Sequence, residues 1–194
     1  MIGSVAERRE QKVAAIVESA WDLARAEGFR GLSLRALAGR VGMRQPSLYE
    51  YFASKDVLYD AMFADANAQL SARLDAVKLP ANPRRAIKSF MHAFSTFALE
   101  DQVRAQLLFQ RPIPGFAPSP EAYELAQQVL GRVVLLLATA GMRHPDDVDC
   151  FVAMVGGLID VQMANDPGGD RWIRHLDHMI DLHLDNARPR RSSK

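Results

Sequence analysis

The stretch Ser33–Lys55, SLRALAGRVGMRQPSLYEYFASK, decides how this chain reads. Ser33 is a good N-cap, and Leu34, Leu37, Ala38 and Val41 follow at three- and four-residue steps. That spacing predicts a short helix with one buried face. Gly42 supplies a turn. A third helix is expected from about Gln45 to Phe52, with Leu48 and Phe52 at i, i+4 anchoring it to the core. Pro46 falls in its first turn, where a missing N–H does no harm. Ser54 then caps a fourth helix, with Asp56 in its first turn against the positive end of the dipole.

Two short helices around a glycine turn also make a plain structural hairpin. The exposed N-terminal positions of the third helix favour a helix-turn-helix instead. Arg44, Gln45, Pro46 and Ser47 occupy the positions that reach base edges in the major groove. Gln pairs with adenine, Arg with guanine, and a proline ring packs on a thymine methyl. Tyr49 and Tyr51 can donate to phosphates, and half-buried packing is the competing reading for both. Lys55 sits at a helix N-terminus whose free N–H groups suit a phosphate. Ser33, Arg44, Gln45, Pro46, Ser47, Tyr49, Tyr51 and Lys55 are the candidate DNA-binding set. Arg35 and Arg40 read as solvated faces, and Glu50 as facing solvent or a basic partner.

Upstream, Val13, Ile16, Val17, Ala20, Trp21 and Ala24 mark a first helix from about residue 7 to 27. Gly28 fits its C-terminal position, and Phe29 and Leu32 are expected to fold back onto the stripe. Downstream, the fourth helix is expected to run from about Lys55 to Val77 before Leu79-Pro80. A helix after Pro83 carries Ile87, Phe90, Met91, Phe94, Phe97 and Ala98, and a shorter one Val103, Leu107, Leu108 and Phe109. Pro112 to Pro120 holds four prolines and must be a loop. Ser119-Pro120-Glu121 starts the next helix, whose VVLLLA run (133–138) is expected to be buried nearly all round. His144-Pro145-Asp146-Asp147 starts another, and a last helix is expected from about Asp170 to Asn186. Strand-like alternation is nearly absent. The fold class is therefore all-α, about nine helices. An N-terminal three-helix domain (1–55) joins through the long helix to a C-terminal helical domain (56–188), with a polar tail (189–194).

The chain has 194 residues, 48% apolar and 24% charged, an ordinary globular composition with net charge +1. Residues 1–55 hold nine basic and six acidic groups, net +3; the remainder holds 15 and 17, net −2. A mildly basic front fits a DNA-facing end. The single cysteine, Cys150, lies in an apolar stretch and is expected to be a buried, inert thiol. No run reaches the roughly 18 apolar residues of a membrane helix. The polar N-terminus MIGSVAERREQK lacks a secretory apolar region, so a cytoplasmic location is expected.

Residues 13–63 resemble the DNA-binding domain of the TetR (tetracycline-repressor-like) family of bacterial transcription regulators. The matching pattern is Gly28-Phe29, Ser33, Leu37-Ala38, Val41-Gly42, Ser47-Leu48-Tyr49, Tyr51-Phe52, Ser54-Lys55 and Leu58. The resemblance implies a homodimeric regulator, usually a repressor, released from a near-palindromic operator in double-stranded DNA by a small-molecule effector. Two positions depart from the pattern. Position 44 is often a capping Ser or Thr, whereas Arg44 cannot cap that way and is free for a phosphate or guanine, with a weaker helix start as the alternative reading. Position 51 is often His, and Tyr51 keeps a polar tip.

In the second domain, Phe90, Phe94, Phe97, Phe109, Phe116, Tyr123 and Met154 offer lining for a mostly apolar ligand, with plain core as the alternative. His92, Arg104, Gln106 and Arg111 are possible polar handles. Val148, Phe151, Val152, Val155, Leu158, Ile159 and Gln162 share a face, with Gly156-Gly157 suggesting close helix approach. Trp172, Ile173, Leu176, Met179, Ile180 and Leu184 form another. From these, Phe151, Val155, Leu158, Ile159, Gln162, Trp172, Leu176, Met179 and Ile180 are the expected dimer interface, a four-helix bundle about a two-fold axis. The same faces could pack within the subunit.

His175, His178 and His183 read as a solvated face, with no metal or other cofactor expected. No catalytic signature (GxSxG, P-loop, dinucleotide fingerprint or HExxH) is present, so no enzyme is expected. The alternative function is a helical small-molecule-binding or interaction protein without DNA binding.

Overall fold

The computed structural model describes residues 4–187. Among them the chain forms nine α-helices, one 3-10 turn and no strand. The expected tail at 189–194 lies outside the described residues. The chain divides into two compact units, one from residues 1–68 and 103–125, the other from 69–102 and 126–194.

In the first unit, α1 (Val5–Gly31) begins two residues ahead of its expected start because Ser4 and Glu7 close a capping box. The Glu7 N–H donates to Ser4 Oγ at 3.1 Å, and the Ser4 N–H to Glu7 Oε2 at 2.7 Å. The stripe Ile16, Val17, Ala20, Trp21, Leu23 and Ala24 is buried. Gly28, at φ 69°, kinks the end of the helix, which turns Phe29 and Leu32 back onto that stripe as expected. α2 (Leu34–Arg40) buries Leu34, Leu37 and Ala38. Gly42 makes the turn at φ 66°.

α3 (Gln45–Tyr49) is shorter than expected. The chain turns off at Glu50, and Phe52 reaches the core from outside the helix. α4 (Lys55–Asp75) is capped by Ser54, whose Oγ accepts from the Val57 N–H at 3.2 Å. Within the first unit α4 closes the core over α1. Trp21 Nε1 donates to Asp65 at 2.9 Å, and the Tyr59 hydroxyl donates to the Phe29 carbonyl at 3.1 Å. Trp21, Phe29, Tyr59 and Phe116 then stack edge to face in succession. α6 (Gln102–Phe109) and the start of α7 (Pro120–Thr139) belong to this unit too. Ser119 caps α7 and donates its own N–H and hydroxyl to Asp60 at 2.6 and 2.8 Å.

In the second unit, α5 (Pro83–Glu100), α8 (Pro145–Asn165) and α9 (Leu176–Asp185) pack against one another. α5 presents Ala86, Ile87, Phe90, Met91, Phe97 and Ala98 to the core. Three expectations change here. The VVLLLA run of α7 is only half covered: Val133 and Leu137 are buried, but Val134 and Leu135 are exposed, Leu135 by 69%. Their one-sided burial follows the helical period, which the unbroken apolar run hides. Cys150 is exposed, on the outer side of α8. The last helix starts at Leu176, preceded by a 3-10 turn at Ile173–His175.

Candidate nucleic-acid interface

Leu37, Leu48 and Phe52 hold the two short helices together from beneath, all at most 2% exposed. Burying such side chains contributes about 1.5–3 kcal/mol each. The turn between the helices is closed by backbone bonds, Gly42 N–H to the Gly39 carbonyl at 3.3 Å and Met43 N–H to the Ala38 carbonyl at 2.9 Å. The hairpin is thus fixed by its inner face, and its outer face is free to carry chemistry.

Arg44 occupies the N-cap of α3 and makes no side-chain cap bond. Its guanidinium is exposed, as are Gln45 and Pro46, while Ser47 is half-buried. These four residues form one short polar surface at the N-terminal end of α3. Tyr49 stands 45% exposed at the other end, and Tyr51 is half-buried just beyond it. Lys55 opens α4 with its ammonium 5.4 Å from the centre of the Tyr59 ring. Ser33 is occupied as a cap: its Oγ accepts from the Ala36 N–H at 3.1 Å. Its hydroxyl proton remains available to donate. Arg35 is exposed, and Arg40 pairs with Asp22 of α1 at 3.2 Å.

One residue near this surface escaped sequence reading. Arg9, in the second turn of α1, donates from Nη2 to the Glu50 carbonyl at 3.1 Å. Its guanidinium also lies over the Tyr51 ring, 4.9 Å from the centroid. Only the basic tilt of the N-terminal region hinted at it.

The candidate ligand set is divided between the units. Phe90, Phe94, Phe97 and Met154 belong to the second, Phe109, Phe116 and Tyr123 to the first. Phe90 and Phe97 are buried, whereas Phe109 and Tyr123 are exposed. Phe90 lies under the Arg132 guanidinium at 5.2 Å. A cleft of about 390 Å³ opens in the second unit, lined by His92, Ser95, Thr96, Leu99, Glu100, Gln162 and the Pro167–Asp170 loop. None of the seven candidate ligand residues lines it. Two of the polar handles have partners: Arg104 bonds Glu18 at 2.9 Å, and His92, on the cleft wall, meets Asp177 at 2.8 Å.

Of the nine residues expected at a dimer interface, Phe151, Val155, Leu158, Ile159, Gln162, Leu176 and Ile180 are buried inside the protomer. Trp172 and Met179 are half-buried. Gln162 Oε1 accepts from the backbone N–H groups of Trp172 and Ile173 at 2.8 and 3.1 Å, and Nε2 donates to the Asp166 carbonyl. That amide organises the connection between α8 and α9. The opposite side of α8 is the one left open: Val152, Ala153, Gly156 and Gly157 are exposed. His183 bonds the Asp147 carbonyl at 2.8 Å and packs on Phe151. The expected solvated histidine face therefore holds for His175 and His178, which are exposed, and not for His183.

A family model described as bacterial regulatory proteins of the tetR family matches residues 16–62, the span of α1 to α4 that builds this surface. An HTH-type transcriptional regulator of Mycobacterium tuberculosis is 30% identical over 155 residues, covering 76% of this chain and 66% of that protein. The chain thus spans just under two thirds of that relative's length. The class A tetracycline repressor protein from transposon 1721 of Escherichia coli is 28% identical over 167 residues, covering 80% of this chain and 69% of that one. Among solved structures, a TetR family transcriptional regulator from Thermus thermophilus superposes with TM-score 0.65 at 20% identity, covering 89% of this chain and 98% of its own. A TetR variant from Acinetobacter baumannii in complex with minocycline superposes with TM-score 0.57 at 22% identity, covering 89% of this chain and 93% of that one. At such identity these two share the fold alone. The helix-turn-helix region of this chain, residues 16–62, thus belongs to the tetR family of bacterial regulatory proteins, and the helical fold of the rest is shared with these structures.

Proposed function

We propose that the chain is a DNA-binding transcriptional regulator that works as a homodimer, reads a near-palindromic operator, and acts as a repressor released by a small, mostly apolar ligand. The observation that carries the reading is the polar surface of Arg44, Gln45, Pro46 and Ser47, set at the N-terminal end of α3 over a buried Leu37–Leu48–Phe52 base. Arg44, Gln45 and Ser47 would read base edges, Pro46 would meet a thymine methyl, and Ser33, Tyr49, Tyr51 and Lys55 would bond the backbone. Phe90, Phe94, Phe97 and Met154, all of the second unit, are the proposed contacts of the effector.

Pairing with a second copy would use the outer side of α8. Val152 and Ala153 are exposed there, and a Cβ built on Gly156 or Gly157 meets nothing within 4 Å. A partner helix could approach that backbone closely. The ligand would act by favouring a spacing of the two readers that no longer matches one operator.

Fluorescence anisotropy with duplex from the gene's own upstream region tests the reading. Binding at least about a thousandfold tighter than to shuffled duplex, with a steep salt dependence, is expected. Equal binding to both duplexes removes the reading.

A further inference from the structure

We propose that Arg9 is a positioning residue for DNA binding, one that caps the C-terminal end of the reading helix and orients Tyr51 from the distance of α1. The inference rests on the DNA-reading function proposed above. α3 has five residues, too few to be stable through its own hydrogen bonds. Its N-cap, Arg44, contributes no side-chain bond. At the other end, the last carbonyls of a helix lack partners within the helix and carry its partial negative charge. The Arg9 guanidinium meets one of them, the Glu50 carbonyl, at 3.1 Å. A charged donor at that place satisfies the carbonyl and complements the dipole at once.

The same guanidinium lies 4.9 Å from the centre of the Tyr51 ring. One planar cation therefore holds both the backbone of the α3 exit and the face of the next aromatic side chain. With its face covered, the Tyr51 ring is fixed and its hydroxyl is the part left to reach a phosphate. Arginine suits this double duty because its fork donates in plane while its face stacks. A lysine in its place would keep the charge and lose the stacked, planar contact. The contact spans 41 residues of sequence, so it also ties the start of α1 to the reader.

The test measures operator affinity against salt for the wild-type protein, R9A, R9K, Y51A and the R9A/Y51A double variant. Arg9 is exposed, so R9A is expected to fold, which a thermal melt checks. R9A is expected to bind operator about tenfold more weakly, with R9K between it and the wild type. The slope of log affinity against log salt should stay unchanged, because a cation held by the protein releases no phosphate counterion. In the Y51A background, R9A should cost much less than tenfold. Unchanged affinity in R9A overturns the proposal. So does a slope reduced by about 0.9, which marks Arg9 as a direct phosphate contact. Additive losses in the double variant overturn the part assigned to Tyr51. If the wild-type protein itself fails to prefer its operator, the DNA-reading function fails first, and independently of Arg9.

Discussion

Arg44 sits where a capping side chain would otherwise stand, and the choice separates stability from recognition. It makes no cap bond, and its guanidinium is exposed beside Gln45. R44S is therefore expected to stabilise α3, by about 1 kcal/mol in a denaturant melt, because serine at an N-cap satisfies a free N–H. The same variant should bind operator more weakly, since a base or phosphate contact goes with the guanidinium. A variant that is both more stable and equally tight would show that Arg44 does not touch DNA. At this scale, the sequence disclosed the residues whose roles depend on spacing alone. Leu37, Leu48 and Phe52 are buried where their three- and four-residue steps put them. The roles of Arg9 and Gln162 were not legible, because each bonds backbone at the end of another element. Their targets, the carbonyl at Glu50 and the N–H groups at Trp172 and Ile173, come into reach only once the chain has turned.

Between α5 and α9, pairing follows a simple ladder. Arg84, Lys88 and His92 recur every four residues on α5, and Asp177, Asp181 and Asp185 do so on α9. Arg84 bonds Asp181 at 3.0 Å and also Asp185, Lys88 bonds Asp181 at 2.7 Å, and His92 meets Asp177 at 2.8 Å. The Lys88 ammonium, and then the Arg84 guanidinium, hold the Asp181 carboxyl below the usual carboxylate range. Asp166 is lowered as well, first by the Arg171 N–H and then by Gln162. A depressed folded-state pKa adds stability that is present above the unfolded value, near pH 4, and is lost as pH falls through the folded one. Acidification below about pH 4 should therefore weaken the second unit. D181N is expected to lower the melting temperature at pH 7 by only about 2 °C, since the pair is partly solvated, and to flatten the acid limb of the stability curve. A D181N protein whose acid limb matches the wild type would remove Asp181 from that account. Helix ends with a strong cap, at Ser33, Ser54 and Ser119, could be read from sequence. The start of α9 could not, because the 3-10 turn before it is held by Gln162 rather than by a local cap.

For the molecule as a whole, the proposed function depends on two readers held at one spacing. The faces expected to pair with a second copy are largely used inside the protomer. The sequence shows that a helix face is apolar and leaves open which apolar surface will cover it. The proposed pairing side of α8 carries Val152, 42% exposed, so V152R is expected to leave the fold intact. It should convert the dimer to a monomer in light scattering, with operator affinity falling on the order of a hundredfold as the second half-site contact is lost. A V152R protein that remains dimeric would move the interface elsewhere. The central claim, that the N-terminal end of α3 reads base edges, has a more direct test. Operator and shuffled duplex are each titrated with wild-type protein and with Q45A at one salt concentration. Q45A is expected to lose about 1–3 kcal/mol of binding on the operator and almost none on the shuffled duplex. Equal losses on both duplexes, or no loss on either, would contradict it.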